Sequence, residues 1–179
     1  MKRWPAGVAL GLAVTLTAAC GAGGRPDGDN PDEGGSTVGV TEDSIKIGGH
    51  FPLTGVAAPG YSEIPSGHQA YYDFVNANGG VHGRQIEFLV RDDGYNPTTT
   101  SQVTNELVLN DEIFAMVSGL GTAPHGAVVD FLNDEKVPDL FVSSGSLQWG
   151  DAPAERPFTF GWQPEIGRAS CRERVCHNV

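Results

Sequence analysis

The stretch Ile113 to Ala127, I-F-A-M-V-S-G-L-G-T-A-P-H-G-A, decides how the chain is read. An apolar run, Ile113 to Val117, ends in a Gly-rich turn. Thr122 stands just before Ala123-Pro124, and Val128, Phe131 and Leu132 follow at helical spacing. The pattern predicts strand, tight loop and helix, with Thr122 as N-cap and Pro124 in the first turn. A helix start of this kind turns unpaired N–H groups and a positive dipole end toward the carboxyl edge of a sheet. A carboxylate, phosphate or carbonyl oxygen suits such a place. Leu140 to Ser146, L-F-V-S-S-G-S, is a second polar strand end of the same type.

The flanking sequence repeats the alternation. Ile45 to Gly49 reads as a first strand ending in the loop H-F-P-L-T-G. Ala70, Tyr71, Phe74 and Val75 have the spacing of an inward helix face that stops at Asn78-Gly79-Gly80. Gln85 to Val90 is a second strand, closed by Arg91-Asp92-Asp93-Gly94. Asn96-Pro97 opens a helix with Val103 and Leu107 inward. Ile113 to Val117, Ala123 to Asp134 and Leu140 to Val142 complete the series. Strand and helix in turn predict an α/β fold, a parallel sheet with helices on both faces and right-handed crossovers. In such sheets ligands sit beyond the carboxyl ends of the strands. The loops gathered there are Leu53-Thr54-Gly55, Gly119 to Thr122 and Ser143 to Ser146.

Composition narrows the function. The chain has 179 residues, 39% of them hydrophobic, and a net charge of −11. That is one small domain once the ends are discounted, and its acidity argues against a nucleic-acid partner. G-L-G-T-A-P at Gly119 to Pro124 only half-matches a dinucleotide fingerprint. Pro124 replaces the third glycine, and the next strand ends in Ser143 instead of an acid. No cofactor is expected. Ser143 to Ser146 lacks the G-x-S-x-G elbow, and no histidine is expected at a strand end to act as its base. His50, His68, His82 and His125 lack metal-ligand spacing and read as loop or surface residues, so no metal site is expected. Asp92-Asp93 reads as a solvated turn, and Trp149 and Trp162 as packing residues.

The two ends read differently from the middle. Lys2 and Arg3, the apolar run Val8 to Leu16, and Thr17-Ala18-Ala19 make residues 1–19 a signal peptide, too short to span a membrane. L-T-A-A-C resembles a bacterial lipoprotein box, which implies lipidation of Cys20. Gly21 to Thr37 has no aliphatic side chain larger than alanine, and residues 20–44 are expected to be the lipidated cysteine and a flexible linker. Glu165 to Val175, E-I-G-R-A-S-C-R-E-R-V, resembles one reading frame of a sequencing adapter. Residues 165–179 are therefore expected to be an artefactual tail, and the Cys171/Cys176 spacing to carry no disulfide or metal.

The middle of the chain is familiar as a whole. I-K-I-G-G-H-F-P-L-T-G, F-V-N-A-N-G-G-V-H-G-R-Q-I, R-D-D-G-Y-N-P, V-P-D-L-F-V-S-S-G-S-L-Q-W-G-D and F-T-F-G-W-Q-P resemble the type I extracytoplasmic solute-binding proteins of ABC importers. The branch is that of branched-chain amino acids and amides. The resemblance implies two lobes that close on the ligand by a hinge, with residues 45–164 forming most of the first. It places the ligand carboxylate on Thr122, and the main-chain groups that hold carboxylate and ammonium at Ser143, Ser144 and Gly145. Ser146 would supply the hydroxyl that Gly145 lacks, and Tyr61 would cover the ligand. It implies no reaction, a small-molecule ligand, ABC permease subunits as partners, and attachment to the membrane through the lipid. The alternative is a ligand-sensing receptor ectodomain with the same fold.

Overall fold

A computed structural model describes residues 37–150 and 153–164. The expected signal peptide, residues 20–36 of the expected lipidated cysteine and linker, and the tail from residue 165 lie outside the described residues. In chain order the elements are β1 (Ser44–Phe51), the irregular turn α1 (Ala58–Tyr61), α2 (Ile64–Ala77), β2 (Gln85–Asp92) and α3 (Pro97–Asn105). A π-helical turn, Glu106–Asn110, extends α3. Then come β3 (Ala115–Val117), α4 (Thr122–Gly126), α5 (Val129–Asp134), β4 (Asp139–Val142), a 3-10 turn at Leu147–Trp149, and β5 (Thr159–Gly161). The five strands form one sheet in the order β2-β1-β3-β4-β5, all pairs parallel. The predicted α/β class and parallel sheet are what the chain adopts.

Each face of the sheet carries its own apolar layer. Leu107, Val108, Ile113, Met116, Val128, Leu132 and Val137 pack under α3, its π turn and α5. Ile47, Ala115 and Val117 pack with Tyr72, Phe88 and Leu140 on the α2 side. Helices thus cover both faces, and the strands are apolar on both sides, as buried parallel strands must be.

Local chemistry explains most element boundaries. The Asn96 side chain accepts from the N–H groups of Thr98 and Thr99, and Pro97 follows in the first turn, so α3 starts where the sequence places it. Three expectations are corrected. The inward face of α2 is Pro65, His68, Tyr72, Val75 and Asn76, whereas Ala70, Tyr71 and Phe74 are exposed. His68 is the reason for the shift: its ring packs among Phe51, Tyr72 and Phe88, which turns the helix by about one residue. The expected helix Ala123 to Asp134 is broken into α4 and α5 at Ala127-Val128. β5, within F-T-F-G-W, is a strand that the periodic reading did not assign. The chain is also held before Ile45: Val40 bridges Ile45, Lys46 N–H donates to Gly39 C=O, and Thr41 bonds Ser44.

Candidate functional site

At the carboxyl ends of β3 and β4 the chain builds a short polar rim. Beyond the strands the pairing continues through Leu120 and Ser143. Ser143 N–H donates to Gly119 C=O at 3.0 Å, and Gly121 N–H donates to Ser143 C=O at 3.2 Å. This places the Thr122 and Ser144 hydroxyls 2.7 Å apart. Gly121 allows the turn twice over. Its φ is +100°, and a Cβ there would stand 2.6 Å from the Tyr95 ring. Among the described residues the N–H groups of Thr122, Ala123, Gly145 and Ser146 take no acceptor. Two hydroxyls and four free N–H donors on adjacent loops make a surface suited to an oxygen-rich group.

The rim departs from expectation in its details. Gly121, not Thr122, is the N-cap, and the Thr122 hydroxyl binds Ser144 instead of capping. With only five residues, α4 contributes little dipole, so the hydroxyls and free amides are the main attraction. Ser143 has both main-chain groups committed to strand pairing, and its N–H is not free for a ligand. Ser144, Gly145 and Ser146 follow on the same loop. Tyr61 is 46% exposed, and its side chain makes no hydrogen bond or ring contact among the described residues. Tyr95 is the aromatic against Gly121, and the sequence reading passed over it because it sits in a turn.

The first loop is fixed from β2. Asp92 accepts from Leu53 N–H (2.9 Å), Thr54 N–H (3.2 Å), Thr54 Oγ1–H (2.6 Å) and Gly94 N–H (3.0 Å). Desolvation works to raise the Asp92 pKa, but the bonds from Thr54, Gly94 and Leu53 together outweigh it and hold the carboxyl below its ordinary value. Asp92 is thus a brace for Leu53-Thr54, and neither aspartate is simply solvated.

Beneath the rim runs a buried chain of four side chains. Asp93 Oδ2 meets His50 Nδ1 at 2.8 Å, His50 Nε2 meets His125 Nδ1 at 3.0 Å, and His125 Nε2 meets Asp139 Oδ2 at 2.8 Å. His50, His125 and Asp139 have no exposed surface, and Asp93 is 1% exposed. The surface reading of His50 and His125 is therefore wrong. His50 does stand at the end of β1, yet both its ring nitrogens are engaged and neither meets a serine. Burial lowers the His50 pKa, against the opposing effect of its bond to Asp93. Gly119 makes the arrangement possible, since a Cβ there would lie 2.7 Å from His50 Nε2. No sequence period marks this chain, because its members come from β1, the loop after β2, α4 and β4. Among the described residues no group of three or more His, Cys, Asp or Glu is arranged to hold a metal. Trp149 is buried and packs its ring edge on His125, while Trp162 is exposed.

A parallel sheet in the order 2-1-3-4-5, with donor-rich loops at its carboxyl edge, is a doubly wound architecture in which ligands bind beyond the strand ends. The family described as periplasmic binding protein matches residues 44–169, and the chain belongs to it. Membership implies an extracytoplasmic location. No curated protein matches the sequence. Among solved structures, a fatty acid ABC transporter substrate-binding protein from Thermomonospora curvata is 38% identical, with a TM-score of 0.55, over 61% of this chain and 28% of that one. A solute-binding protein of an ABC transporter from Rhodopseudomonas palustris BisB5, in complex with 3,4-dihydroxybenzoic acid, is 25% identical, with a TM-score of 0.51, over 65% and 31%. A branched-chain amino acid transporter substrate-binding protein from Streptococcus pneumoniae, in complex with isoleucine, shares the fold at 24% identity and a TM-score of 0.53, over 62% and 38%. The chain therefore spans between 28% and 38% of the length of these proteins. All three are named for binding or transport, none for catalysis.

Proposed function

We propose that the chain is part of the first lobe of an extracytoplasmic substrate-binding component of an ABC importer. Its ligand is a branched-chain amino acid, an amide or a similar small polar solute, held by a carboxylate or carbonyl oxygen at the β3/β4 rim. The observation that carries this reading is the Thr122–Ser144 hydroxyl pair, 2.7 Å apart and flanked by free N–H groups. One hydroxyl proton serves the pair and the other is left to donate. A carboxylate placed there collects that hydroxyl and the amides of Thr122, Ala123, Gly145 and Ser146. Two relatives support the choice of an oxygen-rich end, since fatty acids and dihydroxybenzoic acid share a carboxyl group and little else. A second lobe closing over the cleft, a lipid on Cys20, and docking to permease subunits belong to the same proposal. Saturation-transfer NMR on the full chain tests the ligand chemistry. Leucine or isoleucine should give a signal, leucinol should not, and Thr122→Val should remove the leucine signal. Equal signals from leucine and leucinol would defeat the reading.

A further inference from the structure

The buried chain Asp93–His50–His125–Asp139 contains three hydrogen bonds, and each requires a proton. Two neutral imidazoles supply two. If both donate outward to ionised carboxylates, His50 Nε2 and His125 Nδ1 face each other with bare lone pairs at 3.0 Å. If the inner bond is made instead, one outer bond lacks its proton. Neither arrangement suits groups without access to water. The ends of the chain are unequal. Asp93 Oδ1 also accepts from Tyr95 N–H at 2.8 Å, and its Oδ2 lies 3.1 Å from the Thr100 hydroxyl, which shares its one proton with Asn96 C=O at 2.8 Å, the environment of an ionised carboxylate. Asp139 Oδ1 is buried with no partner.

We infer that the cluster retains a third proton at neutral pH, toward the Asp139 end, and that this filled chain is the strut that positions the Thr122–Ser144 rim. In that state Asp139 donates to His125 Nε2, His125 Nδ1–H donates to His50 Nε2, and His50 Nδ1–H donates to Asp93. His125 lies one turn after Thr122 in α4, so the register of this chain sets where the Thr122 hydroxyl stands. The titratable groups that act on His50 are Asp93, His125 and Asp139. The remaining neighbours, Thr100 from α3, Gly119 after β3 and the Trp149 ring against His125, carry no charge.

The pH dependence has a fixed sign. Above the ordinary histidine value of 6.5 the unfolded cluster binds two protons and the folded one three. The folding equilibrium constant therefore falls about tenfold per pH unit on the alkaline side until the third proton leaves. On the acid side, burial lowers the His50 pKa, so its contribution is present above 6.5 and is lost as pH falls below it. Asp139→Asn separates this proton from all others. An Asn amide donates to His125 Nε2 permanently, which fills all three bonds with only the imidazole protons.

The test uses the full chain and needs no ligand. Long-range nitrogen–proton NMR on histidine-labelled protein near neutral pH should find a proton on one of the two facing nitrogens, His50 Nε2 or His125 Nδ1. Chemical denaturation between about pH 7 and about pH 9 should show Asp139→Asn losing less stability with pH than the parent, by close to tenfold per unit. The backbone amides of Thr122 and Ser144 should shift with the alkaline titration in the parent and stay still in Asp139→Asn. Bare facing nitrogens, parallel pH profiles, or an unfolded Asp139→Asn would overturn the third proton. Unmoved Thr122 and Ser144 would overturn the positioning role, which rests on the proposed ligand site as the proton count does not.

Discussion

Gly119→Ala places one methyl group where the structure has least room for it. The new Cβ would stand 2.7 Å from His50 Nε2 and closer still to the His125 ring, both wholly buried. The rings cannot part without breaking their 3.0 Å bond, and their complete burial keeps solvent from replacing it. Leaving a buried polar group unsatisfied costs about 1–3 kcal/mol, and forcing a methyl into a packed interior about 1–3 more, so a loss of roughly 2–6 kcal/mol is expected. Domains of this size have about 5–15 kcal/mol in all, so the variant should lie near the edge of folding. Urea denaturation of the full chain, read as a change in midpoint at constant slope, measures it. Gly67→Ala is the internal control. Gly67 lies within α2 with nothing near its Cβ position, and alanine there should stabilise by about 0.5–1 kcal/mol. A Gly119→Ala midpoint within error of the parent would show that the histidines are not held as described.

Further outcomes follow from the braces around the sheet edge. Asn96→Ala removes the acceptor for two amides at the start of α3 and should cost about 0.5–2 kcal/mol by denaturation, without altering the fold by circular dichroism. The lowered Asp92 pKa contributes stability that is present above its ordinary value of 3.8 and is lost as pH falls below it. Asp92→Asn should therefore flatten the acid limb of the stability profile. A limb as steep as the parent's would place that acid sensitivity elsewhere.

The sheet was legible because a strand buried on both faces is written as a short apolar run, and the Gly, Pro and Asn between runs mark where each ends. Asn96-Pro97 illustrates this, since cap and first-turn residue are adjacent and act locally. The inward face of α2 was read one residue off, because aromatic side chains were counted as core by type. His68 and Tyr72 turn inward while Tyr71 and Phe74 face out. The loops of the rim could be named from the sequence, as both follow strands and carry hydroxyls. The pairing of Thr122 with Ser144 could not, because it depends on the register of β3 against β4. The Asp–His–His–Asp chain left no local signal at all: its members are 43, 75 and 14 residues apart along the links that join them. β5 was missed for a related reason, since three residues between turns have no period to detect.

The most direct test is an amide NMR titration of the full chain with isoleucine carried to millimolar concentration. The account predicts that the largest shifts fall on Thr122, Ala123 and Ser144 to Ser146, with Tyr95 responding beside Gly121. Shifts centred on another part of the chain, with these residues still, would contradict it.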